Sequence, residues 1–221
     1  MSLDWRISRR EENSGVYIRI PAPTVANALQ AADAQGHEIQ IDQRGFDSVT
    51  VAEIMKAAGL THGGFYGYFR SKDELIAAAL AEALTRTTTA PLGELATYAA
   101  EYLSRSHRND LAGGCPTAAL AAETMRQTSG ARTEMTTGLK QQIERLSRVA
   151  PGENNAQKRR TAIGSWAAMV GAMILARASD DPALSDEVLD QTRVWLEAKT
   201  KDRRQHNSRN RSTKDCRLTK G

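Results

Sequence analysis

The sequence predicts an all-α protein, with a small N-terminal helical domain and a larger helical domain after it. Apolar residues recur at three- and four-residue spacings through most of the chain after Thr50. At Thr50 and at Ser71 a hydroxyl residue is followed three positions later by glutamate, which is the capping-box spacing of a helix start. Aromatic residues make up only 5% of the 221 residues and alanine is abundant, which favours helices.

The stretch from Thr50 to Leu75 is predicted to hold two short helices joined by a tight turn, and then a third helix start. Gly59 ends the first helix where a left-handed cap is expected. The second helix is predicted from about His62 to Tyr68, and Ser71 caps the third. The apolar faces of the first two helices consist of Val51, Ile54, Met55 and Ala58, and of Phe65 and Phe69. A helix, a tight turn and a second helix form the unit that places its second helix in the DNA major groove.

The outer face of that second helix carries hydroxyls, an imidazole and small residues. Gly63 and Gly64 each cost about 1 kcal/mol relative to alanine inside a helix, which is understandable if the backbone approaches another surface closely. Tyrosine, threonine, serine and lysine side chains contact phosphate oxygens in protein–DNA complexes. The alternative is a helical hairpin whose glycines and tyrosines pack within the domain. The predicted DNA-contacting residues are Thr50, Thr61, His62, Gly63, Gly64, Tyr66, Gly67, Tyr68, Ser71 and Lys72.

Gly45 to Leu75, and above all its FYGYFRSKDEL core, resembles the DNA-binding signature of the TetR family of bacterial transcriptional repressors. The resemblance implies an all-helical homodimer with a helix-turn-helix domain and a larger ligand-sensing domain. It also implies residue roles: phosphate contacts for Tyr66 and Lys72, core positions for Phe65 and Phe69, and groove-facing positions for Thr61, His62, Gly63, Gly67 and Tyr68. The chain departs from the family pattern between residues 14 and 44. There VYIRI alternates like a short strand, and the short predicted helix Thr24 to Ala34 is separated from Gly45 by extra residues.

Charge and cysteine usage exclude several classes of protein. The net charge of +4 comes from the stretch Lys199 to Gly221, which holds nine Lys/Arg against two Asp; the remaining residues sum to −3. This basic tail is predicted to be disordered. The two cysteines form neither a disulfide framework nor a metal-ligand cluster, and no signal-peptide pattern is present. We therefore expect a cytoplasmic protein without a metal or cofactor.

The larger domain is predicted as a series of amphipathic helices. The predicted domain division is an irregular segment 1–23, a helix-turn-helix domain 24–75, a regulatory and dimerisation domain 76–198 and a tail 199–221. The predicted helices are Lys72 to Thr88, Leu92 to Ser106, one opened by Cys115 and Pro116, Ala131 to Val149, Gln157 to Ala178, and a last one capped by Ser185. His107 to Gly114 is predicted as a loop.

Cys115 is predicted at a helix N-terminus, where the helix dipole favours a thiolate. One interpretation is a thiol that senses oxidants or electrophiles; the other is a small buried residue at a tight turn. A second class of function, an enzyme with Cys115 as nucleophile and His107 as base, lacks an identifiable orienting group. A third is a helical interaction module that does not bind DNA.

The helix Gln157 to Ala178 is apolar nearly all round, so it needs cover on both sides. A partner subunit is one such cover, and packing within the chain is the other. The resemblance favours the partner, because the last two helices look like the dimer-forming pair of TetR-type proteins. The predicted interface residues are Trp166, Val170, Met173, Ile174, Val188, Thr192 and Trp195. The expected partners are operator DNA, a second copy of the chain and a small-molecule effector whose identity the sequence does not reveal.

Overall fold

The computed structural model describes residues 16–19, 38–41, 50–52, 55, 62–89, 92–110 and 114–199. Strands β1 (Val16–Arg19) and β2 (Glu38–Ile41) pair antiparallel, with Val16 opposite Ile41 and Arg19 opposite Glu38. The strand predicted at VYIRI is therefore present, and the all-α prediction is confirmed for the bulk of the described chain with this one addition. The helix predicted from Thr24 to Ala34 and the tail beyond Lys199 lie outside the described residues.

Eight helices can be delimited in the described part of the chain. Val51, Ala52 and Met55 are also helical, in agreement with the first helix of the predicted pair. The delimited helices are α1 (His62–Phe65), α2 (Lys72–Thr89), α3 (Leu95–Tyr102), α4 (Arg105–Asn109), α5 (Pro116–Thr124), α6 (Ser129–Val149), α7 (Asn155–Ala178) and α8 (182–199). Strand β1 lies against α2.

The helix predicted from Leu92 to Ser106 is in fact two helices. Ser104 has an extended backbone and its hydroxyl accepts a hydrogen bond from the His107 N–H at 3.1 Å, so it caps a new helix, α4. His107 is consequently helical, although it was predicted in a loop. The serine hydroxyl offers the backbone a partner outside the preceding helix, and the chain turns there.

The last helix begins four residues earlier than predicted, at residue 182, with Asp181 in place of Ser185 as its cap. The Asp181 carboxylate accepts a hydrogen bond from the Ala183 N–H at 2.8 Å, which satisfies a free donor of the first turn. Ser185 does not cap this helix. Its buried hydroxyl donates to the Ala176 carbonyl at 2.6 Å and so ties the start of α8 to the end of α7.

The larger domain has two hydrophobic cores, and α5 passes from one to the other. Cys115, immediately before α5, lies in the larger core, and Leu120 within α5 lies in the smaller one. The larger core joins α3, α7 and α8 with the end of α6, through residues that include Tyr102, Leu146, Trp166, Met169, Met173, Leu189 and Leu196. The smaller core joins α2 with the start of α6, through Ile76, Ala79, Leu80, Leu84, Ala131 and Met135. A shift of α5 would therefore change the side-chain packing in both cores.

Within the described residues, α7 is the one helix long and apolar enough to cross a membrane by length and composition. In its most apolar stretch of 18 residues, 39% is buried inside the protein. Met169 and Met173 are fully buried in the larger core. The core helix of a folded domain meets the same criteria, and these buried methionines make α7 such a core helix.

Candidate functional site

The second helix of the predicted DNA-binding unit is anchored by two phenylalanines. Phe65 and Phe69 are buried, with ring centroids 5.7 Å apart. The Phe65 carbonyl accepts hydrogen bonds from the N–H groups of Tyr68 (2.9 Å) and Phe69 (3.0 Å). Helix α1 is shorter than predicted, since residues 66–68 form a turn in which the Gly67 N–H bonds to Gly64 at 3.2 Å. The core roles implied for both phenylalanines agree with this burial.

Two tyrosines lie on the solvent side of this anchor. Tyr66 is 65% exposed and Tyr68 is 41% exposed, although large aromatic side chains usually bury most of their surface. The Tyr66 ring is perpendicular to the Phe65 ring, with centroids 5.2 Å apart, so it packs on the buried anchor while most of its surface stays exposed. Gly63 is exposed and has open space where a Cβ would lie. The surface is therefore open to a close partner.

The remaining predicted DNA contacts divide into three groups. Thr50, Gly67 and Ser71 are exposed, whereas Gly64 and Lys72 are half-buried. Thr61 and the side chain of His62 lie outside the described part of the chain. Gly67 and Ser71 thus lie between α1 and α2, and Lys72 begins α2. Their contact with DNA stays a prediction.

The turn between α1 and α2 is closed by a reciprocal cap. The Ser71 hydroxyl accepts from the Glu74 N–H at 3.2 Å, and the Glu74 carboxylate accepts from the Arg70 N–H at 2.7 Å. A usual capping box returns the bond to the N-cap residue itself; here it reaches one residue further back. This cap fixes Lys72 as the first residue of α2, at the positive end of an 18-residue helix.

Cys115 is the N-cap residue of α5 and is buried, as one of the two interpretations requires. Its N–H donates to His107 Nε2 at 3.0 Å, and His107 Nδ1 lies 2.6 Å from the Tyr102 carbonyl oxygen. These bonds define the tautomer, with the proton on Nδ1. Burial lowers the pKa of His107, and the nearby Arg177 guanidinium lowers it further, so the neutral ring is favoured.

The Cys115–His107 pair considered for an enzyme is not formed as a thiol–imidazole pair. The imidazole contacts the Cys115 amide, and both of its ring nitrogens are already hydrogen-bonded. A general base needs a free nitrogen within reach of the nucleophile's proton. Among the described residues, no group of three or more His, Cys, Asp or Glu side chains could hold a metal ion.

Arg177, which the sequence did not single out, binds backbone carbonyl groups in and just after α4. Its guanidinium donates to the carbonyl oxygens of His107 (2.9 Å), Arg108 (3.1 Å) and Asp110 (3.2 Å), the last carbonyls of α4. A Cβ on Gly114 would lie 2.4 Å from the Asp110 oxygen and 2.7 Å from this guanidinium, so only glycine fits there. The sequence signal for this role is a basic residue at the end of α7, but the carbonyl groups that it binds lie about seventy residues earlier in the chain.

The residues predicted for a dimer interface are not all on the surface. Trp166 and Met173 are buried in the chain's own core, so their assignment to a subunit interface needs correction. Val170 and Val188 are half-buried against that core, and Thr192 is half-buried. Ile174 and Trp195 are exposed, together with further apolar side chains that the prediction omitted: Ile163, Leu175, Leu184 and Val194.

A short helix, α1, joined through the long helix α2 to a two-core helical bundle is the arrangement expected of a helix-turn-helix transcriptional regulator. Residues 39–79 match the family model described as bacterial regulatory proteins, tetR family. The chain therefore carries the N-terminal domain of the TetR family, and the resemblance seen in its sequence is confirmed over this segment. No curated protein matches the chain's sequence significantly.

Solved structures of TetR-type regulators share the fold. The reduced form of E. coli NemR is 23% identical, with a TM-score of 0.58, over 71% of this chain and 88% of that one. A TetR-family regulator from Cytophaga hutchinsonii is 20% identical, with a TM-score of 0.56, over 70% and 86%. One from Legionella pneumophila is 15% identical, with a TM-score of 0.55, over 80% and 95%. At these identities the similarity establishes the fold alone.

Proposed function

We propose that the protein is a cytoplasmic, homodimeric repressor that leaves its operator when a small molecule binds, or a thiol is modified, in the larger domain. The observation that carries the DNA-binding part is the pair of exposed tyrosines, Tyr66 and Tyr68, supported by the buried Phe65–Phe69 anchor. In this proposal Tyr66 and Lys72 contact phosphates, with Ser71, Gly64 and Thr50 beside them. Thr61, His62, Gly63, Gly67 and Tyr68 face the groove.

The first experiment is a gel shift with the DNA upstream of the protein's own gene, over a series of salt concentrations. Lys72→Ala should weaken binding to all sequences and lower the salt slope by about one, because one phosphate contact releases about one counterion. Tyr66→Phe should weaken binding through the loss of one hydroxyl contact. Lys140→Ala, at an exposed lysine of α6, is the matched control and should change neither quantity.

An unchanged affinity and salt slope for Lys72→Ala would show that the assigned docking is wrong. If the unaltered protein produced no shift with any upstream fragment, the alternative of an interaction module without DNA binding would be favoured.

The homodimer in this proposal rests on the exposed apolar side chains of α7 and α8, which include Ile174, Leu175, Val194 and Trp195. Two glycines of α7, Gly164 and Gly171, have open space where a Cβ would lie. They are seven residues apart, so they lie on one side of the helix and permit a second helix to approach closely. With two subunits, the recognition helices would read half-sites about 34 Å apart, one DNA turn or a multiple of it.

Release from DNA would be transmitted through α5 and α2. Helix α5 contacts α2, α6 and α7, and α2 leads directly to the DNA-binding unit. A change in the larger core at Cys115 would therefore reach the smaller core, where Leu120 packs against α2. Coupling of about 1–3 kcal/mol between the two sites is typical of such switches.

Modification of Cys115 is the second route to release in this proposal. NemR was described in its reduced form, which makes thiol state worth testing here. Because Cys115 is buried, a reagent would reach it only when the start of α5 opens. The test is a gel shift with and without a thiol oxidant. Release in the unaltered protein and its absence in Cys115→Ser would support sensing, whereas equal release in both would exclude Cys115.

A further inference from the structure

Two buried hydrogen-bond donors in the larger core meet no acceptor in good hydrogen-bonding geometry among the described residues. They are the Tyr102 hydroxyl and the Trp166 Nε1–H, which we call the donor pair. Tyr102 is only 5% exposed and Trp166 only 6%. Buried polar groups in folded proteins are nearly always hydrogen-bonded, and an unpaired one costs stability. Two such groups in one core, on rings whose centroids are 5.3 Å apart, therefore point to a missing acceptor.

The donor pair lies within a cluster of aromatic rings. The Tyr102 ring stands edge-on to Trp166, with centroids 5.3 Å apart, and edge-on to His107 at 4.6 Å. The nearby Tyr98 hydroxyl is different, because it accepts a hydrogen bond from Gln142 at 3.0 Å. Flat surfaces of this kind suit a planar molecule, since aromatic rings prefer stacked or edge-to-face contacts.

The chemistry of the donor pair restricts what can bind. An indole N–H only donates. Burial raises the pKa of Tyr102 well above its usual range, and the adjacent Cys115 thiol, a weak hydrogen-bond partner, raises it further. The hydroxyl therefore keeps its proton and can donate to a stronger acceptor. A ligand must therefore supply acceptor atoms. The Arg177 guanidinium is committed to three backbone carbonyls, and that of Arg145 to the Thr87 carbonyl and the Gln142 side chain, so both are already engaged and do not favour an anionic ligand.

We infer that the donor pair is the polar part of the effector site, and that it takes a small, uncharged aromatic compound bearing a carbonyl oxygen. This inference rests on the proposed function, and it adds the chemical class of the effector and the two residues that recognise it. The site borders Cys115, the N-cap of α5, and α5 packs against α2. An occupied site thus acts on the helix that joins the two cores.

The test uses NMR of the full chain with ¹⁵N-labelled tryptophan and two probes of almost equal shape. Acetophenone has a carbonyl where α-methylstyrene has a carbon–carbon double bond. Acetophenone should move the Trp166 indole N–H signal downfield and saturate, because that N–H gains an acceptor. α-Methylstyrene should bind at least tenfold more weakly and cause no downfield shift. The chain has three tryptophans, and Trp166→Phe assigns the signal by removing it.

Two tyrosine variants localise the effect. Tyr102→Phe removes an unpartnered hydroxyl and should reduce the preference for acetophenone over α-methylstyrene about tenfold. Tyr98→Phe is the matched control, because its hydroxyl is already bonded to Gln142, and the preference should persist. The probe comparison on the unaltered protein needs no variant, so a variant that fails to fold leaves the inference testable.

Equal binding of the two probes, or no binding of either, would overturn the inference and leave an ordered water as the partner of the donor pair. The gel shift separates this failure from that of the proposed function. If the protein binds DNA but does not distinguish the two probes, only the inferred effector class is wrong. Probe discrimination without DNA binding removes the repressor and leaves the carbonyl site.

Discussion

A single side chain, His107, links α4 to the start of α5. His107 accepts from the Cys115 amide only while it is neutral, since a protonated ring has no acceptor nitrogen. The ring also faces Arg177 and Asp110, of which the first disfavours its charged form and the second favours it. Burial is the largest influence and lowers the pKa of His107. The hydrogen bond from the Cys115 amide therefore requires the neutral imidazole.

This arrangement predicts a pH dependence of stability. An unfolded histidine has a pKa of about 6.5, and the folded value is lower, so the unfolded chain binds the proton more tightly. The contribution of His107 is fully present above about pH 6.5 and is lost as the pH falls below it. Urea unfolding between pH 8 and pH 5 measures it. The unaltered protein should lose stability more steeply than His107→Gln, in which an amide can still donate and accept. Parallel profiles would contradict the lowered pKa.

At the level of helices, the starts of α2 and α7 use the same device. Asn154 Oδ1 accepts from the Gln157 N–H at 3.0 Å, and Gln157 Oε1 accepts from the Glu153 N–H at 2.9 Å. This repeats the Ser71–Glu74–Arg70 arrangement, with the returning bond again one residue before the N-cap. At the starts of α2 and α7, side-chain oxygens thus accept hydrogen bonds from two backbone N–H groups that have no partner within the helix.

Asn154→Ala should destabilise the protein by about 1 kcal/mol, because the first turn of α7 loses a cap acceptor. Asn154→Asp keeps an acceptor oxygen and should retain most of that stability. Denaturant unfolding followed by circular dichroism measures both variants. If alanine and aspartate behaved alike, the side-chain cap would have no energetic weight.

The contact between α2 and α6 depends on one glycine. A Cβ at Gly138 would lie 2.8 Å from the Cβ and Cδ1 of Leu84, which is itself buried in the smaller core. Gly138→Ala should therefore cost about 1–3 kcal/mol, the usual range for overpacking, even though alanine is the better helix former. Gly130→Ala is the control, because its Cβ would meet only ordinary contacts and should be neutral or stabilising. Equal effects at both positions would argue against close packing of α2 on α6.

At the scale of the whole molecule, the exposed surface of α7 and α8 is the interface of the proposed dimer. The exposed apolar residues Ile174 and Trp195 belong to the predicted interface, and a partner subunit would cover them. Ile174→Glu should weaken dimerisation at least tenfold, because the interface would then bury an unpaired charge. Analytical ultracentrifugation measures this. Met125→Glu, at an exposed methionine after α5, should leave the dimer intact. A dimer that tolerates Ile174→Glu would place the interface elsewhere.

Several features were predictable because their signals are local in sequence. The Ser71 cap, the inward Phe65 and Phe69, and the start of α5 after Cys115 each depend on residues within about one helical turn. The extents of α2, α6 and α7 were predicted to within two residues for the same reason. The break at Ser104 was missed, since the apolar spacing of α3 runs up to Leu103, immediately before it, and does not indicate a new cap.

The sequence by itself determined the class of protein, because caps, turn glycines and a 3.6-residue periodicity act between neighbours along the chain. Only the tertiary structure decided which side of α7 is covered by its own core, with Trp166 and Met173 inside and Ile174 outside. It also decided that His107 holds the Cys115 amide, and that Tyr102 and Trp166 keep unpaired donors. These outcomes depend on contacts between residues far apart in sequence. A helix that is apolar on every side gives no local indication of which neighbour will cover each face.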